Sequence, residues 1–242
     1  VSTPQQEWSG DVLDRLQLSG SETVVDAGCG SGEVTARLLA RLPRGRVIAV
    51  DGSPNMAERA RERLATEAAE GRVDFSCQNL ARLELPRTAD RVFSNAVFHW
   101  IPDHPELFRR LAAVLKPGGR LVAQYGGRGN VAEAVAGIES VLATGEYDEW
   151  LSTYRIPWTF NGPEETAGWL EEAGFEAPEC WLQERLASPE DPRGFFAASF
   201  LAPVRELLPE ERFDEFLDRT MTAMGQPSTF NYIRLNIDAR RA

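Results

Sequence analysis

The residues whose spacing most clearly implies chemistry lie at 24–32 and read VVDAGCGSG. A β-branched run ends in an acid and is followed by a glycine-rich turn, which predicts a strand, a tight loop and a helix. Gly28, Gly30 and Gly32 let the backbone turn sharply and approach a ligand closely. A second predicted strand is followed by Asp51, and an acid there can accept hydrogen bonds from both hydroxyls of a ribose.

The same loop is partly similar to the dinucleotide-binding fingerprint G-x-G-x-x-G. Its third glycine lets the helix pack close to the strand, and the pyrophosphate lies at the N-terminus of that helix. Gly28 and Gly30 fit that fingerprint, but Glu33 occupies the third position. A carboxylate there would repel a pyrophosphate, whereas a ligand without phosphate tolerates it. A dinucleotide-dependent dehydrogenase and a loop without a ligand remain alternatives.

Taken together, several segments resemble one enzyme family. The loop at 24–32 resembles motif I of class I S-adenosylmethionine-dependent methyltransferases, and Asn79 lies where that family has an acid or amide that contacts adenine. Residues 94–100, SNAVFHW, resemble motif IV of methyltransferases that act on small molecules, and among these the trans-aconitate methyltransferase group. The proline-aspartate turn and helix at 101–108 and the aromatic segment at 147–154 are also similar to that group, so the resemblance covers nearly the whole chain.

The resemblance implies S-adenosylmethionine as the cofactor and S-adenosylhomocysteine as the product. The cofactor is expected across the carboxyl ends of the first two strands, where ligands bind in open α/β sheets. The candidate cofactor-binding residues are Asp26, Gly28, Cys29, Gly30, Asp51, Gly52, Ser53, Met56, Asn79, Leu80 and Asn95.

Histidine is the residue type best suited to act as a base near neutral pH. His99 follows the fourth predicted strand and is the candidate catalytic residue, whereas His104 beside the next helix start is expected at the surface. With two histidines and no CxxC pair, no metal site is predicted. The candidate substrate-binding residues are aromatic or basic: Trp8, Trp100, Arg128, Trp150, Tyr154 and Arg155.

The reaction implied by the resemblance is an in-line displacement of a methyl group onto a small-molecule acceptor, for which the trans-aconitate group suggests a carboxylate oxygen. A carboxylate needs no base, whereas a hydroxyl, phenol or amine could use His99. A natural-product O-, N- or C-methyltransferase and a non-catalytic S-adenosylmethionine-binding protein remain alternatives.

Composition limits the partners. The formal net charge is −11, which argues against nucleic acid as the acceptor because phosphate neutralisation requires a basic face. No apolar run approaches the roughly 18 residues of a membrane helix, and no signal peptide is visible. Three dispersed cysteines favour a reducing, cytoplasmic location.

Strand and helix patterns alternate, which predicts an α/β fold: a Rossmann-like, seven-stranded, mostly parallel sheet with an antiparallel last strand and helices on both faces. The chain is expected to form one domain over 1–242, with cap elements over the active site at 126–160 and 190–225. Helices are predicted at 9–16, 33–42, 54–69, 105–115, 131–142, 163–173, 191–208 and 209–224. Strands are predicted at 23–27, 46–50, 73–78, 89–95 and 120–125, from 175, and at 230–239.

Overall fold

The computed structural model describes residues 4–86 and 88–242, and their side chains from Trp8 onward. The strands are β1 (Thr23–Ala27), β2 (Arg46–Asp51), β3 (Val73–Cys77), β4 (Ala89–Asn95), β5 (Leu115–Gly126), β6 (Phe175–Ala187) and β7 (Phe230–Arg241). The helices are α1 (Pro4–Arg15), α2 (Glu33–Ala40), α3 (Pro54–Arg63), α4 (Ala65–Ala69), α5 (His104–Val114), α6 (Ala132–Leu142), α7 (Asp148–Leu151), α8 (Pro163–Glu172), α9 (Pro192–Phe200), α10 (Ala202–Arg205) and α11 (Glu210–Ala223). Short 3₁₀ helices lie at Leu80–Arg82 and Phe98–Trp100.

The strands form one seven-stranded sheet in the order β3-β2-β1-β4-β5-β7-β6. Strands β1 to β5 are parallel to one another, and β7 runs antiparallel to β5. The predicted Rossmann-like sheet with an antiparallel last strand is confirmed. Strands β2 and β3 are added on one side of β1, and β4 and β5 are added on the other side. The carboxyl ends of β1 and β4 therefore flank the topological switch point, where open α/β sheets bind ligands.

Side chains of the central strands alternate between two apolar cores, as a pleated strand requires. Val25 and Ile48 lie in one core, and Val24 and Val47 lie in the other. A strand buried on both faces must be apolar throughout, which explains the unbroken runs at β1 and β2. These two packed faces fix the ends of the strands, and therefore the loops that follow them.

Local sequence explains where most helices begin. Ser53 caps α3 by accepting a hydrogen bond from the N–H of Met56, with Pro54 in the first turn, as the residue types predict. Two predicted helices are each divided in the structure. The segment 54–69 breaks at Leu64, which leaves helical angles, and 191–208 breaks at Leu201, just before Pro203, which has no N–H to donate.

Two further boundaries differ from those predicted. The first helix begins at Pro4, five residues before the predicted start, so Trp8 lies within it. Strand β5 begins at Leu115, and the segment Lys116–Gly119 is a bulge within the strand: Ala89 pairs with Leu115, whereas Arg91 pairs with Arg120. The strand predicted at 120–125 therefore begins five residues earlier, because Gly118 and Gly119 lie in a bulge and do not separate the strand from the helix before it.

The chain divides into two compact units. The sheet unit consists of the described residues up to Arg128 together with Trp158–Gln183 and Arg234–Ala242. The helical unit consists of Gly129–Pro157 and Glu184–Ile233, which include α6, α7 and α9 to α11. Much of the predicted cap falls in the helical unit, and its placement over the active site stays a prediction. Among the described residues, no helix combines the length and apolar character needed to cross a bilayer.

The turn before β1 contains a buried carboxylate that stabilises the fold. Glu22 is 9% exposed and accepts hydrogen bonds from the backbone N–H groups of Ser19, Gly20 and Ser21 at 2.6, 2.9 and 3.0 Å. These bonds favour the ionised form and, against the opposing effect of burial, hold the pKa of Glu22 down to about 2.

We therefore expect Glu22→Gln to lower the free energy of unfolding by about 2 kcal/mol at pH 7. Because the folded-state pKa is depressed, this contribution is present above pH 4.5 and is lost as pH falls towards 2. Chemical denaturation from pH 7 to pH 3 should show the wild type and variant converging. The exposed Glu70→Gln is the control, and a constant difference between wild type and Glu22→Gln would contradict the assignment.

Candidate functional site

The glycine loop joins β1 to α2 and is anchored to the end of β2. The N–H groups of Gly28 and Cys29 both donate to the carbonyl oxygen of Val50, at 2.8 and 2.9 Å. Gly30 has φ +54°, and a Cβ added to it would meet no atom of the described residues within 4 Å. Its Cα therefore borders open space, and a ligand can approach the backbone there.

Gly28 is required for a different reason, because the loop is packed against the end of β4. A Cβ at Gly28 would lie 2.2 Å from a methyl group of Val97, and its φ is +91°. The residue before Val97 is Ala96, a non-glycine residue with φ +62° whose N–H donates to the carbonyl oxygen of Gln124 at 2.7 Å. This left-handed alanine at the end of a central strand is the kind of local strain that concentrates at functional sites.

Asp51 connects the glycine loop to the start of α3. One carboxylate oxygen accepts the N–H of Gly30 at 2.8 Å and the other accepts the N–H of Ser53 at 2.9 Å. Each oxygen has a second lone pair, so the carboxylate can still accept hydrogen bonds from two ribose hydroxyls. Gly52 follows Asp51 in the same turn, and Met56 lies in the first turn of α3.

Asp26 lies near the end of β1, just before the glycine loop, and is buried. Its side chain accepts a hydrogen bond from Thr35 at 2.6 Å, and it is 2% exposed. Burial, reinforced by the negative charge of Asp51, raises the pKa of Asp26 to about 7 despite the Thr35 hydrogen bond. Desolvated carboxylates of this kind favour a nearby positive charge, which suits a sulfonium or ammonium group and not a phosphate.

Asn79, which the resemblance predicts to contact adenine, immediately precedes the 3₁₀ helix Leu80–Arg82 after β3. The side-chain oxygen of Asn79 accepts the N–H of Ala81 at 2.9 Å, so Asn79 caps that helix, and Leu80 beside it is buried. A cleft of about 440 Å³ adjoins Asn79 and Trp100 and is also lined by Arg82, Ile101, Asp103, Glu106 and Arg110. Asn95, at the end of β4, pairs in register with Gln124 of β5.

His99 lies where the sequence places it, just after β4, in the 3₁₀ helix Phe98–Trp100. Its Nδ1 accepts a hydrogen bond from the N–H of Gly126 at 3.4 Å, which assigns the proton of the neutral ring to Nε2. Burial, with the positive charge of Arg234 and the neighbouring His104, lowers the pKa of His99 to about 3. The ring is therefore neutral at physiological pH, donates through Nε2 and is a weak base.

His104 is not at the surface, and the prediction that it is exposed is wrong. It is 1% exposed, its Nε2 hydrogen-bonds the carbonyl oxygen of Phe98 at 3.0 Å, and its ring stacks on Phe108. The N-terminal turn of α5 packs inward here, so a residue at a helix start is buried by its tertiary neighbours Tyr125 and Trp169.

Aromatic rings surround His99 within the sheet unit. Its ring centroid lies 5.5 Å from that of Trp100 and 6.0 Å from that of Phe160. Trp158 packs edge-on to Trp100 at 5.9 Å and stacks with Phe160 at 6.1 Å. Trp100 is 46% exposed, which is unusual for tryptophan and consistent with a ligand contact.

Arg234 is a residue that the sequence interpretation missed. It lies on β7 opposite Gly126 of β5, is 1% exposed, and its guanidinium donates to the carbonyl oxygen of Gln124 at 3.4 Å. The ring of Trp8 lies over this guanidinium, 6.0 Å from its Cζ. The sequence pattern that could have identified Arg234 is a single arginine within a predicted strand that is otherwise rich in apolar residues, among them Tyr232, Leu235 and Ile237.

The other predicted substrate-binding residues occupy different surroundings. Arg128 forms an ion pair with Glu165 at 3.2 Å, and its side chain is 60% exposed. Trp150, Tyr154 and Arg155 belong to the helical unit. There Trp150 lies beneath the guanidinium of Arg212, and Arg155 donates to the carbonyl oxygen of Tyr154. Acceptor binding by these four residues stays a prediction.

Comparison with known proteins agrees with this geometry. Residues 24–119 match the family described as "Methyltransferase domain". An uncharacterized methyltransferase of Schizosaccharomyces pombe is 37% identical over 68% of this chain and 63% of its own length. The trans-aconitate 2-methyltransferase of Methylobacterium nodulans is 34% identical over 60% of this chain and 61% of its own length. The chain thus spans less than two thirds of the length of these curated relatives.

Among solved structures, the YcgJ protein of Bacillus subtilis superposes with a TM-score of 0.68 at 17% identity, over 96% of this chain and 97% of the other. That likeness supports the fold. The family match coincides with the strands and loops that form the glycine-loop site, from β1 to the bulge of β5. Residues 24–119 therefore form a methyltransferase domain, and the chain is similar to class I S-adenosylmethionine-dependent methyltransferases and to their trans-aconitate methyltransferase group.

Proposed function

We propose that this chain methylates a carboxylate oxygen of a small organic acid, with S-adenosylmethionine as the methyl donor. The observation that carries the choice of acceptor is the state of His99, whose Nδ1 is occupied by the N–H of Gly126. The chain is similar to trans-aconitate 2-methyltransferases, whose name gives a carboxylate as the acceptor, and this similarity supports the choice.

The residues at the glycine loop fit the donor. Gly30 borders open space, Asp51 has free lone pairs at the turn after β2, and the buried Asp26 favours a nearby positive charge. These residues would hold the methionine and ribose portions, and Asn79 and Leu80 would hold the adenine. When bound, S-adenosylmethionine supplies a methyl group whose bond to a cationic sulfur breaks as a bond to the acceptor oxygen forms.

The protonation state of His99 distinguishes acceptor classes. A hydroxyl or phenol must lose a proton to become a good nucleophile, and a base with a pKa of about 3 removes it poorly near neutral pH. A carboxylate is already ionised, since carboxyl pKa values lie near 4. The neutral His99 can instead donate its Nε2–H to an acceptor oxygen and orient it.

The remaining contribution of the chain is alignment in a site from which water is excluded. Trp100, Trp158 and Phe160 provide flat apolar surfaces beside His99. Correct orientation of two reactants can lower a barrier by roughly 7–11 kcal/mol, so no base or metal ion is needed for a large rate enhancement.

The test is a turnover screen that measures S-adenosylhomocysteine formation with mono-, di- and tricarboxylates, phenols and amines. We expect turnover with carboxylates. With S-adenosylmethionine saturating, its positive charge keeps Asp26 ionised, and we then expect kcat/KM for the acid to be independent of pH from 6 to 8, because neither the acceptor nor His99 titrates there. His99→Asn, which keeps a donor of similar size, should lose less than about 10-fold.

Three outcomes would contradict the proposal. Turnover confined to phenols or amines would exclude the carboxylate acceptor. A loss of about 10²–10⁴-fold in His99→Asn, with an unchanged melting temperature and unchanged S-adenosylmethionine affinity, would make His99 a base. S-adenosylmethionine binding without turnover of any acceptor would indicate a non-catalytic binding protein.

A further inference from the structure

His104 is a buried polar residue at the start of α5 to which the proposed reaction gives no role. Its side chain is 1% exposed, and its Nε2 lies 3.0 Å from the carbonyl oxygen of Phe98. Burial lowers the pKa of His104, so the ring is neutral near neutral pH. Since a carbonyl oxygen can only accept, the proton of the neutral ring lies on Nε2. His104 therefore donates a hydrogen bond to Phe98.

Packing fixes the direction of this bond. The His104 ring stacks on Phe108 of the same helix with 5.9 Å between centroids, and the rings of Tyr125 on β5 and Trp169 on α8 each lie 5.7 Å away. A ring packed among these neighbours has little freedom to turn. Its Nε2–H thus joins α5 firmly to the turn that contains Phe98.

That turn is the 3₁₀ helix Phe98–Trp100, which also contains His99. The carbonyl oxygen of Phe98 accepts the N–H of Ile101 at 3.0 Å as well, so the turn keeps an internal bond without His104. The bond from His104 has a different effect, because it connects the turn to another element. Its loss would leave the turn formed but less firmly placed against the end of β5.

The state of His99 depends on that placement. Its Nδ1 accepts the N–H of Gly126, at the end of β5, over 3.4 Å, which is close to the longest distance at which a hydrogen bond forms. A small displacement of the turn would break this bond. The proton of His99 would then no longer be confined to Nε2, and a fraction of the molecules would lack the donor that orients the acceptor oxygen.

We propose that His104 is a positioning residue: its bond to Phe98 holds the turn against β5, so that His99 keeps its proton on Nε2 and presents it to the acceptor. The part that concerns the acceptor rests on the proposed function. His104 acts through His99 and contacts neither the methyl donor nor the acceptor. The chain contains two histidines, and this assignment gives each a separate task.

The first measurement observes both histidines directly. Because the chain contains two, long-range ¹H–¹⁵N correlation spectra of protein labelled at histidine give one set of ring signals for each and show which nitrogen carries the proton. In the wild type at neutral pH we expect His99 and His104 both to carry the proton on Nε2. The spectrum of His99→Asn, which retains only the His104 signals, assigns the two sets.

Two substitutions place an amide at different positions of the ring. His104→Gln puts a side-chain N–H near the place of Nε2 and can still donate to Phe98, whereas His104→Asn puts it near the place of Nδ1 and cannot. We expect His99 to keep its Nε2 proton in His104→Gln and to show both tautomers in His104→Asn. With the acid that the screen identifies, kcat should fall about 10- to 100-fold in His104→Asn and less than about threefold in His104→Gln.

Thr166→Val is the matched control for the loss of a buried polar group. Thr166 is fully buried on α8, and its hydroxyl lies beside that of Tyr125, in the core that surrounds His104. The substitution should lower the melting temperature but leave the tautomer of His99 and kcat unchanged. Calorimetry should give all three variants the S-adenosylmethionine affinity of the wild type within about twofold, because none of the substituted groups lies at the glycine loop.

The results separate this inference from the proposed function. His104→Asn with His99 protonated only on Nε2 and with wild-type kcat overturns the role of His104, and so do equal losses in His104→Asn and His104→Gln, which would indicate packing alone. If His104→Asn does not fold, a His104 proton on Nδ1 in the wild type, or loss of the His99 Nε2 proton in His104→Gln, overturns it. A wild type that methylates phenols or amines but no acid overturns the proposed function, and the tautomer of His99 in the variants still decides the role of His104.

Discussion

Gly30→Val is expected to abolish S-adenosylmethionine binding while the protein stays folded. In the part of the chain that the structure describes, no atom lies within 4 Å of a Cβ added at Gly30, so we expect the new side chain to occupy the place proposed for the ligand. We expect affinity to fall more than about 100-fold, the equivalent of about 3 kcal/mol. The measurement is calorimetric titration with S-adenosylmethionine, accompanied by a melting curve.

The control for this variant is Gly71→Val. Gly71 also has a positive φ, +70°, and no described atom lies within 4 Å of an added Cβ, but Gly71 lies in the turn before β3. Both variants place a β-branched residue in the left-handed region, at a cost of about 1–2 kcal/mol. They should therefore lose similar stability, and only Gly30→Val should lose binding. Equal affinities in the two variants would show that the ligand lies elsewhere.

Asp51→Ala is the second change with a large expected effect. It removes the acceptor for the N–H groups of Gly30 and Ser53 as well as the proposed ribose contacts. Loss of hydrogen bonds to a charged group should weaken S-adenosylmethionine binding by about 2–3 kcal/mol, or about 30- to 150-fold. Calorimetry at constant pH measures the change directly.

Asp74→Ala is the matched control, because it removes a carboxylate whose partner is the half-exposed Arg46. It should leave affinity unchanged within twofold. Asp51→Asn separates charge from shape, since its amide keeps one acceptor oxygen. If Asp51→Ala keeps the wild-type melting temperature and binds S-adenosylmethionine with wild-type affinity, Asp51 is not part of the binding site.

Most of the glycine-loop site could be predicted from the sequence because its constraints are local. A β-branched run, three glycines and an acid specify a strand, a turn and a helix through backbone conformation alone, and β1, β2 and the Ser53 cap of α3 lie where these patterns predict. The order of strands follows from short connections and right-handed crossovers, which leave few alternatives.

The surroundings of the histidines could not be predicted, because they depend on segments distant in the sequence. His104 has the same local pattern as an exposed helix start, yet Trp169 and Tyr125 bury it. His99 resembles a base by residue type alone. Its hydrogen bond from Gly126 and the charge of Arg234 come from β5 and β7, and these change it into a neutral donor.

By itself, the sequence determined the fold class, the glycine loop with Asp51 and the family of the chain, because each depends on residue type, periodicity and short spacing. Only the tertiary structure decided which side chains surround His99. Arg234 lies 135 positions after His99 and comes near it through the antiparallel pairing of β7 with β5. Burial and charge are properties of that three-dimensional arrangement, and they determine whether a histidine can act as a base.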